Sequence, residues 1–575
     1  MRKYIKLFLV IISISFFSCE KLIEPKFDNS LTQSQLLENM AYTEGLLMKA
    51  YYTLPDDYYF ESDVATDDAV TNDINSSYRS MATGNWRSTN NPISKWASSY
   101  ENIFYINHFL DVYGDVVWST DSTISEAFNS LRNVLHKKRL KGEAYGLRAY
   151  YKWLLLQNHG GMSGGRLLGF PIIDKYLIPG DDWAIPRSTY AQCVKNIFND
   201  LDTAIKYLPA KWEDLPTGGS NPEINSHINA TSGARFTNRM NGNAALALKS
   251  RVALIAASPA FSATSGVTWA NAATIAGPLL KNLLPLYANG GVFYLEKSNN
   301  EIIWNSYEIQ KLTWEQNNFP PSLYGYGRTN PTQSLVDAFG MANSYPITDL
   351  ANSLYNEAVP YTGRDPRLDK YIIYNTSKFK STTISTYIGA AQDGINVLLT
   401  STRTGYYLKK LMNESVVLKP GSTAAKGHTY TLARVTEVLL NYAEAANEAW
   451  GPDEDPNAYG FTPRTLIGLI RARGGITSDP YLTSLSGKDR MRDLIRNERR
   501  IELCFEGFRF WDIRRWNDVA EMKAPAKAAY ITNTSGAFSY VYSDIEARQY
   551  DDYMIYGPVP YSETLKYSLD QNEGW

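Results

Sequence analysis

Between residues 496 and 516 the chain reads Arg-Asn-Glu-Arg-Arg-Ile-Glu-Leu-Cys-Phe-Glu-Gly-Phe-Arg-Phe-Trp-Asp-Ile-Arg-Arg-Trp. Guanidinium, carboxylate and aromatic ring alternate too densely there for an ordinary exposed helix. Ile501, Cys504, Phe505 and Phe508 recur at steps of three and four, which predicts one apolar helical face. Arg499 and Glu502, then Glu506 and Arg509, stand one turn apart, so the spacing predicts mutual neutralisation. Arg514 and Arg515 precede Trp516, where guanidinium planes can stack on indole. The stretch is a helix pair that buries aromatics while satisfying its own ions, a structural device and not an active site.

Other segments show one-sided helical stripes. Residues 96–110 align Trp96, Tyr100, Ile103, Asn107 and Leu110; residues 139–158 align Leu140, Ala144, Leu147, Tyr151 and Leu154. Residues 190–208 carry Val194, Ile197, Leu201, Ile205 and Leu208, opened by Thr189 with Gln192 as a capping box and closed by Pro209. Residues 243–257 and 434–449 complete the set, with a weaker helix over 33–53. Each stripe must pack against another helix, and Ala144, Ala245 and Ala445 would let neighbours approach closely. No strict 34-residue self-similarity marks a tetratricopeptide array, so periodicity alone supports an all-α core.

Between about 260 and 430 the helical stripes disappear, and Gly, Pro, Asn, Thr and Tyr rise. Residues 301–307 and 370–374 suit short strands. Residues 55–95 are similarly irregular. Long irregular segments are usually functional or disordered. These hold too many aromatics for disorder, which leaves binding loops on a helical scaffold.

Arg2, Lys3 and Lys6 precede an apolar run over 7–17, the length of an export signal and not of a membrane span. Ser18-Cys19 follows, resembling a lipoprotein cleavage box; cleavage would make Cys19 the acylated first residue. A plain secretory signal and an N-terminal anchor helix are the other readings. Cys193 and Cys504 lie on apolar helical faces without a CxxC pair and read as small buried hydrophobes, not a disulfide framework.

A formal net charge of -2 gives no basic field for nucleic acid. Gly161-Met162-Ser163-Gly164-Gly165 matches a nucleophile elbow in letters, but it follows a helix where that motif needs a strand, and reads as a flexible loop. The five histidines form no metal motif. Adjacent acids at Asp56-Asp57, Asp67-Asp68, Asp181-Asp182 and Asp551-Asp552 do not supply the across-sugar separation a glycosidase needs. Solvated turns or calcium ligation suit them, turns better.

The 496–516 stretch closely resembles the C-terminal signature of the SusD/RagB family of Bacteroidetes lipoproteins. Gly557-Pro558-Val559-Pro560-Tyr561-Ser562-Glu563 and Gln571-Asn572-Glu573-Gly574-Trp575 resemble its ending. Leu147-Arg148-Ala149-Tyr150-Tyr151, Pro186-Arg187-Ser188-Thr189, Arg364-Asp365-Pro366-Arg367-Leu368 and Ile470-Arg471-Ala472-Arg473-Gly474 follow the family's order. The resemblance implies an all-α, tetratricopeptide-like scaffold with long irregular loops and a few short strands. It implies a signal peptide over 1–18 and one domain over 19–575, with scaffold mainly in 31–260 and 430–520 and a loop-rich insertion at about 260–430. It also implies a non-catalytic, cofactor-free lipoprotein on the outer membrane, facing the cell surface, that binds oligosaccharide and delivers it to a SusC-like TonB-dependent transporter.

Aromatics make up 13% of the chain, more than a core needs, and sugars present C–H faces that pack on rings. Two loops combine rings with polar groups. Residues 78–87 offer Tyr78, Asn85 and Trp86; residues 314–328 offer Trp314, Tyr324, Tyr326 and Arg328. These seven are the expected ligand contacts, whereas Trp96 and Trp304 sit in periodic elements and are expected in the core. A surface glycoside hydrolase and a peptide-binding uptake lipoprotein are the rival readings.

Overall fold

The computed structural model describes residues 39–56, 58, 61–218 and 220–575. The expected signal and Cys19 lie outside the described residues. Ten helices of ten or more residues stand among those described. They are α1 (Met40–Tyr52), α2 (Trp96–Val112), α3 (Glu126–His159), α4 (Tyr190–Tyr207), α5 (Pro222–Ser232), α6 (Gly242–Ala257), α7 (Trp269–Leu283), α8 (Val435–Ala449), α9 (Pro463–Gly474) and α10 (Gly487–Glu502). Each packs on a neighbour along the chain: α1 on α2, α2 on α3, α3 on α4, α4 on α6, α6 on α7 and α7 on α8. α5 lies on α3, and α9 and α10 close against α8. Every sheet among the described residues is a two-stranded antiparallel ribbon, so the fold is helical, as the stripes require.

Local chemistry explains the helix ends. Thr189 and Gln192 form the expected capping box of α4. α3 starts earlier than its apolar stripe, capped by Ser125, because its first turns are only half-buried and carry little of the pattern. α7 lies inside the span expected to be loop-rich. Its central Gly277-Pro278 obscures a helix that the core needs. A Cβ at Gly277 would sit 2.2 Å from the Tyr459 ring, so close packing demands the glycine. α8 differs from a one-sided stripe, being buried on every face over 435–447.

The two expected pairs, Arg499 with Glu502 and Glu506 with Arg509, do not form. Arg499 reaches Asp512 at 2.7 Å, while Glu502 is held by Arg367 and Arg473 at 3.0 and 2.8 Å. Glu506 pairs with Arg434 and Lys410, and Arg509 with Asp67 and Glu521. Inside α10, Arg499 and Glu502 are each drawn to partners from other elements, and the backbone turn after Glu502 carries Glu506 and Arg509 to different neighbours. Arg367 also bonds Asp365 and Glu498, and Arg471 bonds Glu498 and Asp479. Three separate motifs thus meet in one buried ionic lattice. Of the two arginines expected to stack on Trp516, Arg515 does, 4.8 Å from the ring centroid, whereas Arg514 lies over Phe510 and Tyr550 and its place on Trp516 is taken by Arg496 at 4.5 Å.

The chain terminus closes on α3 in a second polar knot. Arg187 donates to the carbonyls of Gly169, His159, Leu168 and Asp570 and to Asn572 Oδ1. Asn572 Nδ2 donates to the carbonyls of His159 and Gly557. His159 Nδ1 meets the Pro558 carbonyl at 2.6 Å, and Nε2 accepts from the Lys95 amide at 3.2 Å. The Gly161–Gly165 segment is a hairpin turn, not a flexible loop: Gly161–Ser163 pairs with Arg166–Leu168. The left-handed turn at Gly164 and Gly165 joins the two strands.

Candidate functional site

The expected contacts divide sharply by burial. Trp86 is 2% exposed; its Nε1 donates to Asn91 Oδ1, and its ring meets Phe510, Tyr550 and Trp575 edge-on. Trp314 is 6% exposed, on the short helix Thr313–Asn318 beside Tyr58. Both indoles belong to the core, so neither offers a ring face to a sugar in this structure. Tyr78 is half-buried, its hydroxyl donating to the Pro92 carbonyl. Asn85 is exposed but apart, bonded to Ser80 Oγ. Trp96 and Trp304 are buried, as expected.

Tyr326 and Arg328 come together, and Tyr324 stands two residues before Tyr326 on the same short strip. They alternate with Gly325 and Gly327, and Tyr324 turns the chain in a left-handed conformation (φ 66°) at the end of the short helical turn Pro321–Leu323. The two tyrosines are 52% and 40% exposed. A Cβ at Gly325 would lie 2.1 Å from the Phe319 carbonyl oxygen, and one at Gly327 lies 2.6 Å from that of Thr400. Only glycine lets this strip press so closely on the scaffold, and Gly327 also needs its positive φ. The strip is thereby forced to show its rings to solvent.

Hydrogen bonds hold the strip rigid. The amides of Tyr326, Gly327 and Arg328 donate to the carbonyls of Gln316, Phe319 and Asn317 at 2.7 to 3.1 Å. Asn72 Nδ2 donates to the carbonyls of Tyr326 and Gly327, both at 2.9 Å, and to that of Ser401 at 3.3 Å. Arg328 lies 5.4 Å from the Tyr326 ring centroid, bonds Asn72 Oδ1, and sits 3.8 Å from Asp73. Beneath, Asp393 accepts from the Ser322 amide; burial pushes its carboxyl above the ordinary range.

Several components of this ledge were missed from sequence. Asn72 is its main tether, and nothing in the sequence links it to a strip some 250 positions away. Leu398 and Leu399 adjoin the strip through Thr400 and Ser401, and Leu399 is 88% exposed. Their signal was legible as an apolar run without helical or strand partners. The ledge offers two ring faces, an aliphatic margin and one guanidinium. That set can stack on apolar faces and donate hydrogen bonds. Among the described residues no His, Cys, Asp and Glu group could hold a metal ion.

A family model described as the SusD family matches residues 292–575, and a second, described as starch-binding and associating with the outer membrane, matches 24–221. The chain belongs to the SusD family. A SusD-like crystal structure from Bacteroides fragilis superposes with a TM-score of 0.73 at 24% identity, covering 94% of this chain and 98% of that one. A SusD-like carbohydrate-binding protein of the same organism gives 0.69 at 21% identity, covering 92% and 98%. A SusD-like protein of Formosa agariphila is 32% identical over 99 residues, 16% of this chain and only 18% of its own length. No described helix is long and apolar enough to cross a membrane.

Proposed function

We propose that this chain is a non-catalytic glycan-binding lipoprotein, anchored through Cys19 to the outer membrane and facing the cell surface, that hands oligosaccharide to a SusC-like TonB-dependent transporter. The glycan reading is carried by one observation: two exposed tyrosyl faces and a guanidinium on a backbone strip that glycine contacts and Asn72 hold in place. Covering about half of one ring removes ~80–100 Å² of apolar surface, worth ~2 kcal/mol. Association costs at least ~4 kcal/mol. Both rings and added hydrogen bonds are therefore needed for roughly micromolar to millimolar affinity, which suits capture followed by release. The family description and the named carbohydrate-binding relative support the ligand class. The non-catalytic reading draws on the acids, since Asp67 and Asp68 are clamped by Arg500.

Tyr324→Ala with Tyr326→Ala should weaken binding to polysaccharide about a hundredfold or more in affinity electrophoresis, with the melting temperature unchanged. Unaltered affinity would remove the ledge from the binding site. Release of new reducing ends by the purified protein would favour a hydrolase. Cys19→Ala should move the protein out of the membrane fraction, and retention there would count against lipidation. Co-purification of a transporter with the tagged protein tests delivery.

A further inference from the structure

A cavity of about 390 Å³ opens where α3, α6 and the segment after α10 meet, and none of its lining residues belongs to the ledge. Its size is at the lower end of ligand clefts, enough for one or two sugar rings. Tyr150, Tyr430, Phe508 and Trp511 give it an aromatic wall. Its inner charges are balanced within the protein. Arg251 is held by Glu437, Arg499 by Asp512, Arg515 by Glu444 and Glu506 by Arg434, while Lys95 stands exposed at the surface. A cavity so neutralised has no buried charge to spare for an anion or a cation.

Three polar groups in the lining remain open. The half-buried Gln157 amide bonds no described residue, nor does the Tyr150 hydroxyl, and neither is sealed from solvent. Arg251 spends Nε and Nη2 on Glu437 and the Leu432 carbonyl, which leaves Nη1 free to donate. Its guanidinium lies 5.1 and 5.5 Å from the ring centroids of Trp153 and Phe508, within the aromatic wall. Burial raises the Tyr150 hydroxyl pKa and the Arg251 charge lowers it, as fits two neighbouring groups. An amide and a phenol each donate and accept, as a sugar hydroxyl does, whereas a carboxylate or phosphate only accepts.

We propose that this cavity is a second ligand site, for a neutral monosaccharide or disaccharide. The sugar's C–H face lies on the aromatic wall, and its hydroxyls pair with the Gln157 amide, the Tyr150 hydroxyl and Arg251 Nη1. The saccharide class rests on the carbohydrate-binding reading above; the cavity and its three open groups do not.

Saturation-transfer NMR and isothermal titration of the mature chain test it, with glucose, galactose, mannose, maltose, cellobiose and lactose against glucuronate and benzyl alcohol. At least one neutral sugar should bind at roughly 0.1–10 mM, several-fold tighter than glucuronate. Loss of one neutral hydrogen bond is worth about two- to tenfold, so Gln157→Ala and Tyr150→Phe should each weaken binding by that factor. Gln157→Trp, which fills the opening, should abolish it. Tyr324→Ala with Tyr326→Ala should leave it unchanged. Silence of every neutral sugar at about 50 mM, or unaltered affinity in both Gln157→Ala and Tyr150→Phe, overturns the proposal while polysaccharide binding at the ledge stands. Small-sugar binding lost in the ledge variant places it there and also overturns the proposal. A ledge variant that keeps both polysaccharide and small sugar sinks the ledge alone. Glucuronate bound as tightly as the neutral sugars, or benzyl alcohol bound with every sugar silent, overturns the ligand class.

Discussion

The 496–516 stretch and the 324–328 ledge use the same residue types to opposite ends. In the first, arginines and aromatics are buried: Arg514 lies 3.5 Å from the Phe510 ring centroid and Arg515 is locked to Glu444. In the second, Arg328 and two tyrosines face water on a strip whose inner side is glycine. The difference lies in what stands behind each residue. Where carboxylates and carbonyls from other elements converge, arginine becomes an internal strut. Where the backbone presses flat on the scaffold, a ring has only solvent to meet.

The sharpest way to break this contrast is inside the core. Arg367→Ala would leave Asp365, Glu498 and Glu502 short of a shared cation, a loss of about 3–5 kcal/mol. Denaturant titration should show it; a change under 1 kcal/mol would make the lattice ornamental. Trp86→Ala should cost a similar 3–5 kcal/mol through its cavity, measured the same way. If it instead cost binding without stability, Trp86 would return to the site.

Acid should also separate the regions. Burial alone would raise the Glu444 carboxyl, but Arg515 outweighs it and holds it at about 2; Glu502 is likewise held at about 2, chiefly by Arg473 and Arg367. Unfolded glutamate, near 4.5, takes its proton first as pH falls. This stability is whole above about 4.5 and is lost as pH drops through about 2. Burial depresses His159 from 6.5 to about 4, so its contribution is whole above 6.5 and is lost as pH falls through 4. Urea midpoints should show the advantage of wild type over His159→Gln shrinking from pH 7 to pH 4. A constant difference would mean the imidazole does not titrate as its burial requires.

Smaller effects belong to the ledge. Gly325→Ala drives a methyl into the Phe319 carbonyl and should weaken glycan binding about tenfold, at a stability cost of about 1–2 kcal/mol. Arg328→Gln should shift stability by less than about 0.5 kcal/mol and affinity a few-fold. A larger stability loss would show that Asn72 and Arg328 brace the scaffold as well as the site.

Much of the scaffold was legible because a helix advertises its buried face at a fixed period. The stripes at 96–110, 190–208, 243–257 and 434–449 each became a helix, and Thr189 capped where a cap was expected. α7 was missed because Gly277 and Pro278 interrupt the pattern that burial against Tyr459 requires. At the ledge, Tyr324, Tyr326 and Arg328 were named from composition, whereas Trp86 and Trp314 carried the same signal and went inside. Aromatic content in an irregular segment says that rings must be placed, not on which side of the backbone.

By itself the sequence determined the helices that carry an uninterrupted apolar stripe, the Thr189 cap and the supply of rings and charges, since these follow from short-range periodicity and hydrogen bonding. The tertiary structure alone decided which arginine meets which carboxylate and which aromatic sees water. Those outcomes depend on groups brought together from far along the chain, as Asn72 is to Tyr326 across 254 positions and Arg367 to Glu498 across 131.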